Sequence, residues 1–105
     1  MQRGEIRWYR FGRPDKRRPV LILTRQPALD FLNEITVAPV TSTIRGVPSE
    51  VILHESDGMP SDCAINLYHL QTVPSSRMGR LIATLPDGRM ADVRSALLFA
   101  LGFDR

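Results

Sequence analysis

Few of the residues that usually carry enzymatic chemistry occur in this 105-residue chain. It has one cysteine, Cys63, so no intrachain disulfide can form, and no Cys or His stands near it at metal-ligand spacing. A small buried residue in a reducing cytoplasm is the reading that follows. There is no Walker-type or dinucleotide glycine loop, no nucleophile elbow and no close acidic pair beside a suitable ligand. Most enzyme classes are thereby set aside, and neither a metal nor a cofactor is expected. No apolar run is long enough for a membrane span, and the opening MQRGEIRWYRF interleaves charge with apolar residues instead of building a signal peptide. A soluble, unprocessed, cytoplasmic protein is expected. Repeats and low-complexity tracts are also missing, and the length suits a single domain, residues 1 to 105, closing one core without a staple.

Lysine is scarce too: thirteen of the fourteen basic residues are arginine, and Lys16 is the exception. Guanidinium groups offer forked donors that match phosphate oxygens and flat faces that stack on bases. The charge is also uneven. Residues 1 to 25 carry eight basic side chains against Glu5 and Asp15, a net +6, so the remaining 80 residues sum to −3 within an overall +3. Composition alone leaves two readings open, a solvated charged face or a surface for a polyanion.

What is present is mostly strand. GEIRWYRF alternates, with Ile6 and Trp8 on one side and Arg7, Tyr9 and Phe11 on the other, as in a half-buried strand with Trp8 toward the core and Tyr9 left open. Gly12, Pro14 and Asp15 supply turn chemistry before the apolar PVLILT, which predicts a hairpin with a basic loop. RQPALDF reads as a loop or short turn around Pro27. EITVAPVT, EVILHE, CAINL, HLQTV and GRLIATL read as further strands. Near the end, Met90, Val93, Leu97, Ala100 and Leu101 follow helical spacing. Thr84 and Asp87 have capping-box spacing, Pro86 suits a first turn and Gly102 a stop. The expected fold is mainly β with a C-terminal helix (α+β), a small, strongly bent sheet or partial barrel whose core the helix covers.

Several segments, in order, resemble the MazF/PemK toxin family, the mRNA interferases of toxin–antitoxin pairs. They are RGEIRW at 3 to 8, KRRPVLIL at 16 to 23, VAPVTST at 37 to 43, SDCAINLYHLQTV at 61 to 73 and MADVRSALLFALG at 90 to 102. The resemblance implies an SH3-like partial barrel of the CcdB/PemK type and a homodimer. It also implies a type II toxin that cleaves single-stranded RNA in a sequence-specific, metal-independent way, leaving 2′,3′-cyclic phosphate and 5′-hydroxyl ends. A cognate antitoxin with an acidic disordered segment is the implied partner. By position, the family's essential arginine falls on Arg18 and its essential threonine on Thr41. Two departures stand out. The first loop is only FGRPDK, without the Glu-Gln pair often found there, so an acidic contribution is lost or falls to Asp15; and His69 stands where Gln is frequent.

The residues support the pair on physical grounds as well. Pro19 biases Arg18 away from helix and holds it where a strand emerges, while Thr41 offers a hydroxyl on a stiff rotamer at another strand's exit. RNA carries its own nucleophile, so alignment and charge neutralisation are what the protein must provide, and one such donor is commonly worth about 2.7–4 kcal/mol. Arg13, Lys16, Arg17, Ser42, Thr43 and His69 are the expected RNA-binding residues around it. Ser42 and Thr43 can equally cap their loop, His69 can equally be an edge-strand histidine, and His54 reads as merely exposed. Two other functions fit the same pattern: a CcdB-like topoisomerase poison without catalysis, and a plain RNA-binding barrel.

Overall fold

Period-two alternation of apolar residues builds the sheet, and it does so on both faces at once. The computed structural model describes residues 1–12 and 16–104; the expected loop contributions of Arg13 and Asp15 lie outside the described residues. Seven strands form: β1 (Glu5–Arg10), β2 (Arg17–Ile22), β3 (Glu34–Thr41), β4 (Glu50–Leu53), β5 (Cys63–Asn66), β6 (Gln71–Pro74) and β7 (Met78–Thr84), followed by the helix α1 (Asp87–Leu101). Their spatial order is β4-β5-β3-β2-β1-β7, with β6 also paired to β3. All the pairings are antiparallel.

On one face of the central strands Ile6, Leu21, Leu23, Ala38 and Val40 join Ile65 and Leu67 in a cluster covered by α1 through Val93 and Ala96. On the other face Tyr9, Val20, Ile22, Ile35, Val37 and Val73 form a second cluster. The segment around Pro27 is a short 3-10 turn, Gln26–Asp30, and it adds Leu29 to that second cluster. Each fully buried Val, Leu or Ile contributes about 1.5–3 kcal/mol relative to exposure, so two small clusters suffice for this chain.

Two local expectations are corrected. Tyr9 is the buried aromatic of β1, 2% exposed with its ring edge-on to Phe11, whereas Trp8 is only half-buried. The two residues do take opposite sides of the strand, and the side of Tyr9, which the sequence left undecided, is closed by the second cluster. Thr84 does not cap α1: it ends β7, Pro86 occupies the cap position, and no side chain bonds the helix start. At the end of the helical stripe Leu101 is 53% exposed. Gly102 does stop the helix, at φ 78°, with its N–H on Phe99 O and that of Phe103 on Leu98 O.

Charged residues tie the edges down. Arg7 donates from Nε to Glu5 Oε1 at 2.8 Å and from a terminal nitrogen to Gly79 O at 2.9 Å, linking β1 to β7 across its irregular register. Arg89 on α1 bonds Asp57, Asp92 and the carbonyl of Ile52, fixing the helix to the outer strand β4.

Burial alone would push the Glu5 carboxyl up. Hydrogen bonds from Arg7 and the Gln2 backbone, with the charges of Arg7 and the amino terminus, outweigh it and hold the group below the ordinary carboxylate value. A depressed folded value means that stabilisation is fully present above the unfolded pKa and is lost as pH falls through the folded one. Glu5→Gln should therefore lower stability at neutral pH by about 1–2 kcal/mol and flatten the acid limb of the stability curve. Chemical denaturation across a pH series checks this; an unchanged acid limb would assign the loss to other carboxylates.

Candidate functional site

A proline stands where the central ladder ends. β2 and β3 pair at Ile22–Val37, Leu21–Ala38 and Val20–Pro39, and there the register stops. Leu23 N–H bonds Thr36 O, so the odd-numbered residues of β2 bond towards β3, and Pro19, next in that series after Leu21, has no N–H to give. Beyond that point the strands keep different company. β2 stays on β1 as far as the Arg10–Arg17 pair, while β3 moves from β6, which it meets along Glu34–Val37, to β5 at Val40–Ile65 and Thr41–Ala64. Two clefts lie beside the strand ends where this pairing stops.

Continuing the β2–β3 register past its last pair sets Arg18 opposite Thr41 on one face. Arg17, one residue earlier, belongs to the other face with Pro19 and Leu21. This is how two adjacent guanidinium groups serve two clefts. The first, about 430 Å³, lies among Trp8, Lys16, Arg17, Arg18, Val40, Thr41 and Ser42, with Met59, Pro60 and Cys63 behind. The second, about 310 Å³, lies among Arg18, Thr41, Thr43, Arg45, Asn66, His69 and Gln71. Arg18 and Thr41 line both and form the ridge between them.

The ridge is chemically unspent. No described carboxylate forms an ion pair with Lys16, Arg17 or Arg18, and no acidic residue is among the described residues lining either cleft. Thr41 Oγ1 accepts the N–H of Thr43 at 3.1 Å, which orients the hydroxyl and leaves its proton to donate. On the far wall the Asn66 amide lies 3.3 Å from His69 Nδ1, and its oxygen accepts the N–H of Tyr68 at 3.0 Å. Cys63 is no nucleophile: burial, then the charges of Asp62 and Asp57, push its thiol up. Among the described residues no cluster of His, Cys, Asp and Glu could hold a metal ion. The arrangement offers fixed positive charge and hydroxyl donors to an anion.

Of the residues singled out from the sequence, Lys16, Arg17, Arg18, Thr41, Ser42, Thr43 and His69 all border these two clefts. Arg45, Asn66 and Gln71 join them without having been foreseen. Asn66 carried a signal, an amide closing an apolar strand; Arg45 and Gln71 carried none. His54 stands away from the clefts and pairs with Asp62 at 3.0 Å.

Comparison with known proteins places this geometry in a family. The model for the PemK-like, MazF-like toxin of type II toxin–antitoxin systems matches residues 2–101. Endoribonuclease MazF3 of Mycobacterium tuberculosis is 39% identical over 88 residues, 84% of this chain and 82% of that protein. The solved structure of the Mycobacterium tuberculosis toxin MazF-mt6 superimposes with a TM-score of 0.87 at 33% identity, covering 96% of this chain and 99% of that one. A MazE-MazF crystal structure from Deinococcus radiodurans gives 0.82 at 27% identity, with 97% and 96% covered. The partial barrel with a C-terminal helix, expected from the sequence, is the architecture these structures share.

If the unpaired cations face a polyanion, each should show in the salt dependence of binding. Lys16→Ala and Arg17→Ala should each weaken retention of a single-stranded oligonucleotide and shallow the log-affinity against log-salt slope by about 0.7 for each phosphate no longer neutralised. Arg89→Ala, which removes an already paired charge, should leave the slope unchanged. Equal slopes for all three variants would move the binding face elsewhere.

Proposed function

Because this chain belongs to the PemK-like, MazF-like toxin family of type II toxin–antitoxin systems, we propose that it is an endoribonuclease toxin that cuts single-stranded RNA at the Arg18–Thr41 ridge. The observation that carries the reading is the Arg18 guanidinium, which pairs with no described carboxylate, beside the Thr41 hydroxyl in the same two clefts. The substrate's own 2′-oxygen attacks the adjacent phosphorus, the bond to the 5′-oxygen breaks, and a 2′,3′-cyclic phosphate and a 5′-hydroxyl result. The proton lost by the 2′-oxygen is matched by the one gained at the 5′-oxygen, so the reaction consumes no co-reactant.

In this scheme Arg18 neutralises the charge that grows on the phosphorane oxygens and stands by the leaving oxygen. Its guanidinium stays protonated, so it is not the base. Thr41 donates its hydroxyl to a non-bridging oxygen. Lys16, Arg17, Ser42, Thr43 and His69 position the strand on either side. Arg13, outside the described residues, extends the same basic segment. The active form is a homodimer in the cytoplasm, restrained by an antitoxin whose acidic segment takes the place of RNA along these clefts.

A strand with a single 2′-deoxy sugar at the cut site should bind and stay whole, and cleavage of the all-ribose strand should proceed in EDTA. Arg18→Ala should lower the rate about a hundredfold or more with a much smaller loss of binding, because its charge acts mainly on the transition state. Cleavage of the deoxy strand, or activity lost to EDTA and restored by magnesium, would replace this mechanism with a metal-dependent one. Tight retention of RNA with no cleavage at all would leave a binding protein.

Assembly is checked separately. Sedimentation at micromolar concentration should give a dimer, and the inhibitor encoded beside this protein should compete with the deoxy strand. An inhibitor that left strand binding undisturbed would end the shared-cleft model.

A further inference from the structure

Trp8 is the least expected member of the first cleft. It sits opposite Pro19 in the β1–β2 register, so Arg17, two residues before Pro19, is its diagonal neighbour on the same face. The Arg17 Cζ lies 5.0 Å from the indole centroid. The ring is half-buried and borders the cleft that Arg18 and Thr41 also line. Its backbone is held closely: a Cβ at Gly79 would come within 3.1 Å of Trp8 O and 3.4 Å of Trp8 Cβ, so β7 leaves the strand no room to shift. The indole is a fixed platform covered by a side chain that can move.

We propose that Trp8 is a positioning residue for RNA: the base of a nucleotide joined to the scissile phosphate stacks on the indole in place of Arg17, and Arg17 swings to a phosphate. This rests on the endoribonuclease reading and adds to it the means by which the strand is aligned. Three features favour a base as the occupant. The walls formed by Val40, Met59 and Pro60 are apolar, the cleft of about 430 Å³ has room for a nucleobase, and the cations at its mouth are placed for the phosphate attached to it. The exchange runs in the right direction, since base stacking on an aromatic ring is stronger than an exposed cation–π contact. Arg17 meanwhile keeps the indole covered in the free protein and gains a full counter-charge when RNA arrives. Stacking accepts any base, so this subsite aligns the strand more than it reads it.

Trp8 is the single tryptophan of the chain, so its emission reports on the stack directly. The full-length protein is titrated with an end-labelled oligonucleotide carrying 2′-deoxyribose at the mapped cut site. Tryptophan emission and label anisotropy are followed together. Quenching that saturates along the anisotropy curve is expected. An abasic sugar on one side of the scissile phosphate should abolish the quench and weaken binding roughly tenfold or more. Trp8→Ala should raise KM by a similar factor with kcat within about threefold, and Trp8→Phe should recover most of the loss. Full binding with unchanged emission, or a quench that survives abasic substitution on both sides, overturns the stack. Failure of the wild-type protein to cut any all-ribose RNA overturns the endoribonuclease reading instead, so the two are told apart.

Discussion

The pairing of β2 with β3 ends at Val20–Pro39, and everything at the site depends on that ending. A sheet normally satisfies its backbone along the full length of its central strands. Here the next β2 residue due to bond β3, Pro19, has no N–H, and the ladder loses that bond. β2 remains paired to β1 along its other edge, and β3 passes from β6 to β5 along its own far edge. A gap in the middle of a sheet would be unstable; a gap at the end of one, walled by rigid strands, is a cleft with fixed sides.

Period-two geometry then distributes chemistry over that cleft. Neighbouring residues on a strand face opposite ways, so Arg17 and Arg18 serve different sides of the same divide. The same rule puts Thr41 on the side of Arg18 and Val40 on the side of Arg17. A helix would have fanned these groups around a cylinder, and a loop would have held them loosely. On strands fixed by two apolar clusters, the donors keep their places before any ligand arrives, which is the condition for electrostatic stabilisation of a reacting phosphate.

The arginines divide by partnership. Arg7 is bound to Glu5 and to the Gly79 carbonyl, and Arg89 to Asp57, Asp92 and the Ile52 carbonyl; both act as ties between elements. Arg17 and Arg18 have no such counter-charge among the described residues, and Arg17 rests on an aromatic face instead. Adjacent like charges repel one another, so this corner of the molecule is less stable than it would be with an anion bound. One residue type therefore stands in two opposite settings, and only the surroundings of each guanidinium distinguish them.

Much of this was legible in the chain itself. The limits of β3, the closing helix and its Gly102 stop followed from alternation, helical spacing and the need for a left-handed residue, all of which are local. Arg18 and Thr41 were singled out by the family resemblance, and the Arg-Pro pair agreed with it because proline restricts the residue before it wherever it occurs. Local rules could not tell that Trp8 would line a cleft while Tyr9 was buried, since that depends on what covers each face of β1. Nor could they bring Arg45 together with Asn66, His69 and Gln71, which come from two segments separated in sequence. Alternation determines which side of a strand a residue takes; what waits on that side is decided by the order of strands and by the point at which two of them part, because burial and proximity are properties of the packed chain and not of any stretch within it.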